Sequence, residues 1–152
     1  MGTEDSVLPV PILKAMSFDL FLFRYVNGEL AGFPLADLGN FFPCEVRSNS
    51  VDCLQVDYGG SGHSNLYFQR MEAENEMINS LNVNRPIAES RLYEGIFELM
   101  RRHGLCLVFP GSRVLVADVK TIAHLPPEMP ETMDGTLLVQ DGLDILNAIS
   151  NS

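Results

Sequence analysis

The fold is decided by one stretch of this chain, residues 79–118, which reads NSLNVNRPIAESRLYEGIFELMRRHGLCLVFPGSRVLVAD. Within it Leu92, Ile96 and Leu99 recur at three- and four-residue steps, and charged side chains fill the opposite side. This spacing predicts a helix with one broad buried face and one solvated face. The stretch matches no catalytic motif.

Both ends of this helix carry recognisable signals. Pro86 suits the first turn, because its fixed φ is helical and the N–H that it lacks would have no partner there. Gly104 follows Arg101, Arg102 and His103, so a left-handed cap comes just after cations that favour the negative end of the helix dipole. The sequence therefore predicts a helix from about residue 86 to residue 103.

A hairpin is predicted directly after the helix. Two apolar runs, 105–109 and 113–117, flank the short loop Pro110-Gly111-Ser112, which is typical of paired antiparallel strands. Apolar residues at nearly every position indicate that both faces of these strands are covered. Asp118 is then expected to cap a short helix that Pro126-Pro127 must end.

The rest of the chain supplies the other elements of the sheet. The predicted elements are a two-sided apolar strand at 17–25, a short helix at 34–42, a hairpin of strands 51–58 and 65–71, a strand at 77–84, a strand at 136–140 and a final helix capped by Asp141. In the strand at 77–84, the side chains expected to point inward are Met77, Leu81 and Val83, and those expected to point outward are Ile78, Ser80, Asn82 and Asn84.

The order of these elements sets the expected fold class. Strands and helices segregate instead of alternating, which predicts a single α+β domain with a mostly antiparallel sheet, one long helix and several short ones. Residues 1–15 are interpreted as an N-terminal extension, since Pro9 and Pro11 favour extended backbone. Residues 16–152 are the predicted domain.

The net charge of the chain indicates which classes of partner it can bind. The formal net charge is −10, from 20 acidic and 10 basic residues, and Lys14 and Lys120 are the two lysines. Nucleic-acid backbones are bound by clustered Lys and Arg, so a nucleic-acid partner is not expected. An acidic surface favours a basic protein partner through electrostatic steering. The alternative is that the acids only keep a cytosolic protein soluble.

Cysteine usage and hydropathy indicate a location. The three cysteines have no CxxC spacing and cannot all pair, so a reducing, cytoplasmic setting is predicted. No apolar run approaches the roughly 20 residues that span a bilayer, and no membrane association is expected.

Motifs for catalysis or metal binding are not recognisable. The three histidines stand far apart in the sequence, with no HxH or HExxH pattern. No G-x-S-x-G or Cys-His signature occurs, and residues 59–62 are interpreted as a glycine-rich turn. The sequence therefore predicts no catalytic residue, no metal site and no cofactor, and an enzyme is the less favoured class.

Two polar groups are the candidate binding residues. Three carboxylates at 72–76 lie on one side of an extended segment, which suits an Arg-rich partner or a solvated edge that discourages strand pairing. Asparagine is a poor strand former, and it alternates along the predicted strand at 77–84. The polar face of this strand, formed by Ser80, Asn82 and Asn84, either presents hydrogen-bonding groups to a partner or stays solvated. The predicted partner-binding residues are Glu72, Glu74, Glu76, Ser80, Asn82, Asn84 and Arg85.

Several short motifs carry a family resemblance. They are Met16-Ser17-Phe18-Asp19-Leu20-Phe21-Leu22, Val83-Asn84-Arg85-Pro86, Leu115-Val116-Ala117-Asp118 and His124-Leu125-Pro126-Pro127-Glu128-Met129. Over residues 16 to 149 the chain resembles a group of small bacterial proteins that open with MSFD-x-x-L and carry V-x-RP and HLPP-x-M. The resemblance implies an α+β fold and a bacterial cytosolic setting, and it transfers no catalytic residues.

Three functional hypotheses follow from the sequence. The leading one is a non-enzymatic acidic binding protein, of the kind that includes immunity-type inhibitors of basic toxins. The alternative is a small ligand-binding domain or enzyme with a pocket near Asn82, Asn84, Arg85 and His124. The third is a homodimer, suggested by the excess of aromatic residues in Phe18–Tyr25.

Overall fold

A computed structural model describes residues 19–46, 52–73 and 76–151 of the 152-residue chain. These residues form one α+β domain with a mixed, mostly antiparallel sheet, which confirms the predicted fold class. The predicted extension at 1–15 lies outside the described residues.

The elements have the following bounds. The strands are β1 (Leu20–Val26), β2 (Glu29–Ala31), β3 (Phe33–Pro34), β4 (Cys53–Asp57), β5 (His63–Arg70), β6 (Met77–Asn84), β7 (Leu105–Val108), β8 (Val114–Val116) and β9 (Thr136–Leu138). The helices are α1 (Leu38–Phe41), α2 (Ser90–His103), α3 (Val119–Ile122), α4 (Glu128–Thr132) and α5 (Gly142–Ser150), with 3-10 turns at Leu35–Asp37 and Gly59–Ser61.

The first strand of the described chain lies in the middle of the sheet. The order is β9-β8-β7-β1-β6-β5-β4, with β2 added to β1 and β3 added to β6. Leu22 of β1 lies opposite Leu81 of β6 on one side and Leu107 of β7 on the other. The pair β8–β9 is parallel, and the other pairs are antiparallel. A strand that is apolar on both sides suits this central place.

One face of the sheet, which we call the helix face, carries the main core. Leu20 and Leu22 of β1 point to this face and are fully buried with Leu92, Ile96 and Leu99 of α2. Helix α5 packs beside α2, and their axes come close at Gly142. The periodicity seen in the sequence is therefore the stripe of α2 that contacts the sheet.

The opposite face, which we call the back face, is covered over only half its width. Leu125, Met129 and Met133, from the segment that contains α3 and α4, pack on a buried cluster that includes Cys106 and Val116 of β7 and β8. This cover makes both faces of the β7–β8 hairpin buried, as the sequence predicted. Phe23 and Tyr25 of β1 pack at the border of this cluster, and over β6 and β5 the described residues supply no comparable layer.

The start of α2 differs from the sequence prediction. The helix begins at Ser90, and Glu89 is its N-cap, with extended backbone and a side-chain carboxylate that accepts the N–H of Arg91 at 3.0 Å. Pro86 therefore precedes the helix instead of opening it, because a carboxylate that captures an unpaired N–H is a strong starting signal. The other end is as predicted, since Gly104 has a φ of 66°.

The predicted orientation of Ile78 is wrong. The register between β5 and β6 shifts so that Ser80 pairs with Gln69 and Ile78 pairs with Arg70, which leaves Asn79 as the extra residue of a β-bulge. The bulge turns Ile78 inward, where it is fully buried. Beyond the bulge, Leu81 and Val83 are buried as expected.

The prolines at 126–127 also behave differently from the prediction. Helix α3 already ends at Ile122, and Pro127 is the N-terminal cap residue of a further helix, α4. A proline is tolerated at the start of a helix because no N–H is needed there. The sequence marked this segment as proline-rich and did not reveal that it would form a lid over half of the back face.

Candidate functional site

The uncovered half of the back face is the candidate site. We call it the open face and define it by six of the residues that line its depression of about 330 Å³, namely Phe21, Phe23, Tyr67, Gln69, Ser80 and Asn82. The strand register arranges them in two rows. Asn82 lies between Phe21 and Tyr67, and the next row along the strands contains the other three side chains.

Asn82 has an unsatisfied acceptor at the centre of this surface. Its Oδ1 atom is buried and has no hydrogen-bond partner within the described residues. A buried polar atom without a partner costs about 1–3 kcal/mol relative to a satisfied one. Tyr67 beside it is 43% exposed, so part of its ring is accessible from solvent. The open face therefore combines accessible aromatic surface with an acceptor that needs a donor.

The open face carries carboxylates and amides without cations from its strands. Asn84 donates from Nδ2 to Asp19 Oδ1 at 3.0 Å, and the alternation of β4 places Asp57 on the same side. Strands β1, β4, β5 and β6 contain two arginines, and both belong to the other side of the sheet. Arg24 donates to the Gly32 carbonyl, and Arg70 stacks over the Phe68 ring.

The structure brings together some of the polar residues predicted to bind a partner in and after β6. Ser80 and Asn82 lie together in the open face, and Asn84 lies one position further along the same side of β6. Arg85 follows β6 in a left-handed conformation with a φ of 55°, and its side chain is exposed. Its carbonyl accepts the Ser64 hydroxyl at 2.8 Å, which holds this turn in place.

The predicted acidic group belongs to a connection, away from the two rows of the open face. Glu72 and Glu76 are exposed in the segment that links β5 to β6. The carbonyl of Glu76 accepts the N–H of Leu35 at 2.9 Å. Glu74 lies outside the described residues.

His124 is not brought to the amides of β6. It contacts the end of β1, where the N–H of Asn27 donates to its Nδ1 at 3.1 Å and the N–H of Gly28 donates to its carbonyl at 2.8 Å. Phe21, the neighbour of Asn82, is six positions away from Asn27 along the strand, or about 20 Å at the usual rise per residue. Asn82 and His124 line different depressions.

Among the aromatic members of the open face, Phe21 and Phe23 belong to the segment that suggested a homodimer, and Tyr67 was not recognised from the sequence. Phe21 and Phe23 alternate with the buried Leu20 and Leu22 in β1, and Tyr67 alternates with buried residues in β5. The missing information was the position of the α3–α4 lid, which covers the back face on one side of β1 and leaves the other side accessible.

The buried thiols are held in their protonated form. Burial raises the pKa of Cys106 to about 12 and that of Cys44 to about 11, and a thiol without its charge is a poor nucleophile. Among the described residues, no three His, Cys, Asp or Glu side chains form a group that could hold a metal ion. His103 is engaged by Asp37, at 2.7 Å between Nε2 and Oδ2.

Comparisons with protein-family models, curated proteins and solved structures found no match to this chain. The family resemblance described above therefore stays an interpretation of the sequence motifs. In the part of the chain that the structure describes, none of the helices has the length and apolar character needed to cross a membrane.

Proposed function

We propose that this protein is a non-enzymatic binding protein that captures a basic protein partner on the open face. The observation that carries the proposal is the buried, unpartnered Oδ1 of Asn82 between two aromatic side chains. A partner reaches this buried oxygen once the Asn82 amide turns toward the depression, and a hydrogen bond donated to it then removes its desolvation cost.

An arginine side chain of the partner fits this chemistry best. A guanidinium group is planar, stacks on aromatic rings and carries several N–H donors. Phe21 and Tyr67 supply the rings, and Asn82 supplies the acceptor. The depression of about 330 Å³ is large enough for one such side chain together with part of the segment that carries it.

Charge supports the choice of a basic partner. The chain has a net charge of −10, and the strands that form the open face place carboxylates and amides there without Lys or Arg. Such a surface attracts a cationic protein over a distance and orients it before contact. Neutralisation of a basic toxin by an immunity-type inhibitor is the biological role that we attach to this proposal.

The direct test uses two synthetic peptides of equal charge, one with arginine and one with lysine at every basic position. Binding is measured by fluorescence anisotropy for the wild type and for the variants Asn82→Ala and Tyr67→Ser. We expect tighter binding of the arginine peptide and a loss of about tenfold in each variant, which corresponds to one charged hydrogen bond or one stacking contact.

The matched control is Leu138→Ser, because Leu138 is 42% exposed in β9, at the edge of the sheet farthest from β4. It should leave binding unchanged. Equal affinity for the two peptides together with no effect of Tyr67→Ser would contradict the proposal. A second copy of the chain is the other occupant that could cover the open face. Sedimentation of the protein alone tests this, because a dimer that dissociates in Tyr67→Ser would mean that the open face is a dimer interface.

A further inference from the structure

A second depression, at the far end of β1, gathers positive charge. We call it the basic pocket and define it by its charged and imidazole side chains, namely Arg24, Arg101, Lys120, His103, His124 and Asp118. They line about 310 Å³ together with four uncharged residues. Three of the ten Lys and Arg residues and two of the three histidines thus meet in one place. In a chain with twice as many acids as bases, this concentration calls for a physical reason.

One of the three cations is explained by local structure. Arg101 is in the last turn of α2, where a cation offsets the negative end of the helix dipole, and it pairs with Glu98 at 2.6 Å. Arg24 and Lys120 belong to β1 and α3, so the dipole of α2 does not account for them. Their convergence on the same depression needs a separate cause.

Arg24 is the least compensated of these groups. Its guanidinium is partly buried, donates from Nη1 to the Gly32 carbonyl at 2.7 Å, and forms no ion pair within the described residues. Placing a charged group out of water without an opposite charge is costly. The exposed Lys120 likewise has no carboxylate partner there.

His124 adds a neutral donor to the pocket. Because its Nδ1 accepts the N–H of Asn27, the ring hydrogen of the neutral imidazole is on Nε2. The acidic member, Asp118, is already engaged, since its Oδ1 accepts the N–H of Lys120 at 2.9 Å. Three cations and one carboxylate, that of Asp118, line the pocket, while Glu98 and Asp37 contact Arg101 and His103 from outside its lining.

We infer that the basic pocket binds a small phosphate-bearing anion. Arg and Lys recognise phosphate oxygens through charged hydrogen bonds, and an anion here would supply the opposite charge that Arg24 and Lys120 lack. The volume lies at the lower end of the range for small-molecule sites, which suits a phosphate group with a short substituent. This inference is independent of the open face and of the proposed protein partner.

The test is a titration followed by amide resonances, at constant ionic strength maintained with sodium chloride. The probes are inorganic phosphate and glycerol phosphate. We expect saturable shifts at Gly104, Thr121 and His124, and no such shifts with chloride alone. Tighter binding of glycerol phosphate identifies an ester ligand, and equal or weaker binding identifies the free ion; both support the inference.

Two variants with the same change of charge provide the control. Lys120→Gln removes an exposed cation of the basic pocket, and Arg113→Gln removes an exposed cation that lines a different depression. We expect Lys120→Gln to weaken phosphate binding about tenfold, and Arg113→Gln to leave it within about twofold. Identical shifts with phosphate and chloride, or equal losses in the two variants, would overturn the inference.

Discussion

His103 Nε2 lies 2.7 Å from Asp37 Oδ2, and this contact joins the last turn of α2 to the 3-10 turn before α1. The two side chains are 14% and 19% exposed, so the hydrogen bond is largely shielded from water. The imidazole also packs on Phe33, with 5.7 Å between ring centroids. A polar residue on the buried side of an amphipathic helix is thereby used to anchor a segment 66 positions away.

Removing this contact should weaken the fold. We expect Asp37→Ala to lower the free energy of unfolding by about 1–3 kcal/mol, because His103 would keep its buried position without its partner. Urea denaturation at neutral pH measures the change. Asp37→Asn retains an acceptor oxygen and should lose less than the alanine variant. Wild-type stability in Asp37→Ala would show that the contact contributes nothing in solution.

The close approach of α5 to α2 depends on Gly142. A Cβ atom at this position would lie 2.6 Å from the backbone nitrogen of Glu94 and from the carbonyl carbon of Tyr93. Neither backbone atom can move away cheaply, so Gly142→Ala should cost about 1–3 kcal/mol of stability. Gly60→Ala is the matched control, since a Cβ there meets no atom within 4 Å. Equal melting temperatures of the two variants would contradict the helix packing described above.

Glu89 should contribute more to stability than its partner Arg91. The Glu89 carboxylate is buried, caps α2 and also accepts from the guanidinium of Arg91 at 2.9 Å, whereas the Arg91 side chain is 64% exposed. We expect a loss of about 1–2 kcal/mol for Glu89→Ala and less than about 1 kcal/mol for Arg91→Ala. Chemical denaturation of the two variants compares them, and the reverse ranking would refute the capping role.

Stability should fall at alkaline pH. The thiols of Cys44 and Cys106 have an ordinary pKa of 9.0, and burial raises these values to about 11 and about 12 in the folded protein. Between these limits the folded state holds more protons than the unfolded chain, so stability is complete below about pH 9 and decreases as the pH rises. Each thiol contributes a slope of at most about 1.4 kcal/mol per pH unit, which is approached above the unfolded pKa.

Urea titrations between about pH 8 and pH 10.5 measure this slope. Cys106→Ala removes one of the two thiols, so its stability should decline less steeply with pH than that of the wild type. An unchanged slope in Cys106→Ala would mean that the thiol is not buried as described.

Association with a basic partner should depend strongly on salt. Steering by a net charge of −10 raises the association rate, and added salt screens it over a Debye length of about 10 Å at 0.1 M. Stopped-flow measurements with the arginine peptide should show a rate that falls at least about tenfold between low and moderate salt. A salt-independent rate would argue against electrostatic capture, whatever the final affinity.

The sequence predicted correctly those elements that depend on interactions between residues close together in the chain. The helix that ends before Gly104, the β7–β8 hairpin and the central place of the Phe21–Phe23 segment each follow from periodicity or turn chemistry that a short window contains. The same window could not reveal the bulge at Asn79, because pairing with β5 and β1 decides where an extra residue is accommodated.

The candidate site could be predicted only in part from local sequence patterns. Asn82 was singled out because asparagine is a poor strand former, with Ser80 on the same face, and the structure places both on an accessible surface. Their aromatic neighbours come from two other strands, and the limit of the surface is set by the lid at 119–133. Both are long-range properties of the topology. The basic pocket was missed for the same reason, since Arg24, Arg101 and Lys120 are far apart in the chain.

The central position of β1 has a consequence for the order in which the protein can fold during synthesis. Its segment Leu20–Phe23 lies between residues 77–84 and 105–108, whereas β2 pairs with Arg24–Val26 at the end of the strand. Both edges of the Leu20–Phe23 segment therefore stay unpaired until much of the chain has left the ribosome. Such late, non-local pairing slows folding and exposes strand edges that favour aggregation. The nascent chain therefore passes through a vulnerable interval that closes only when β7 arrives.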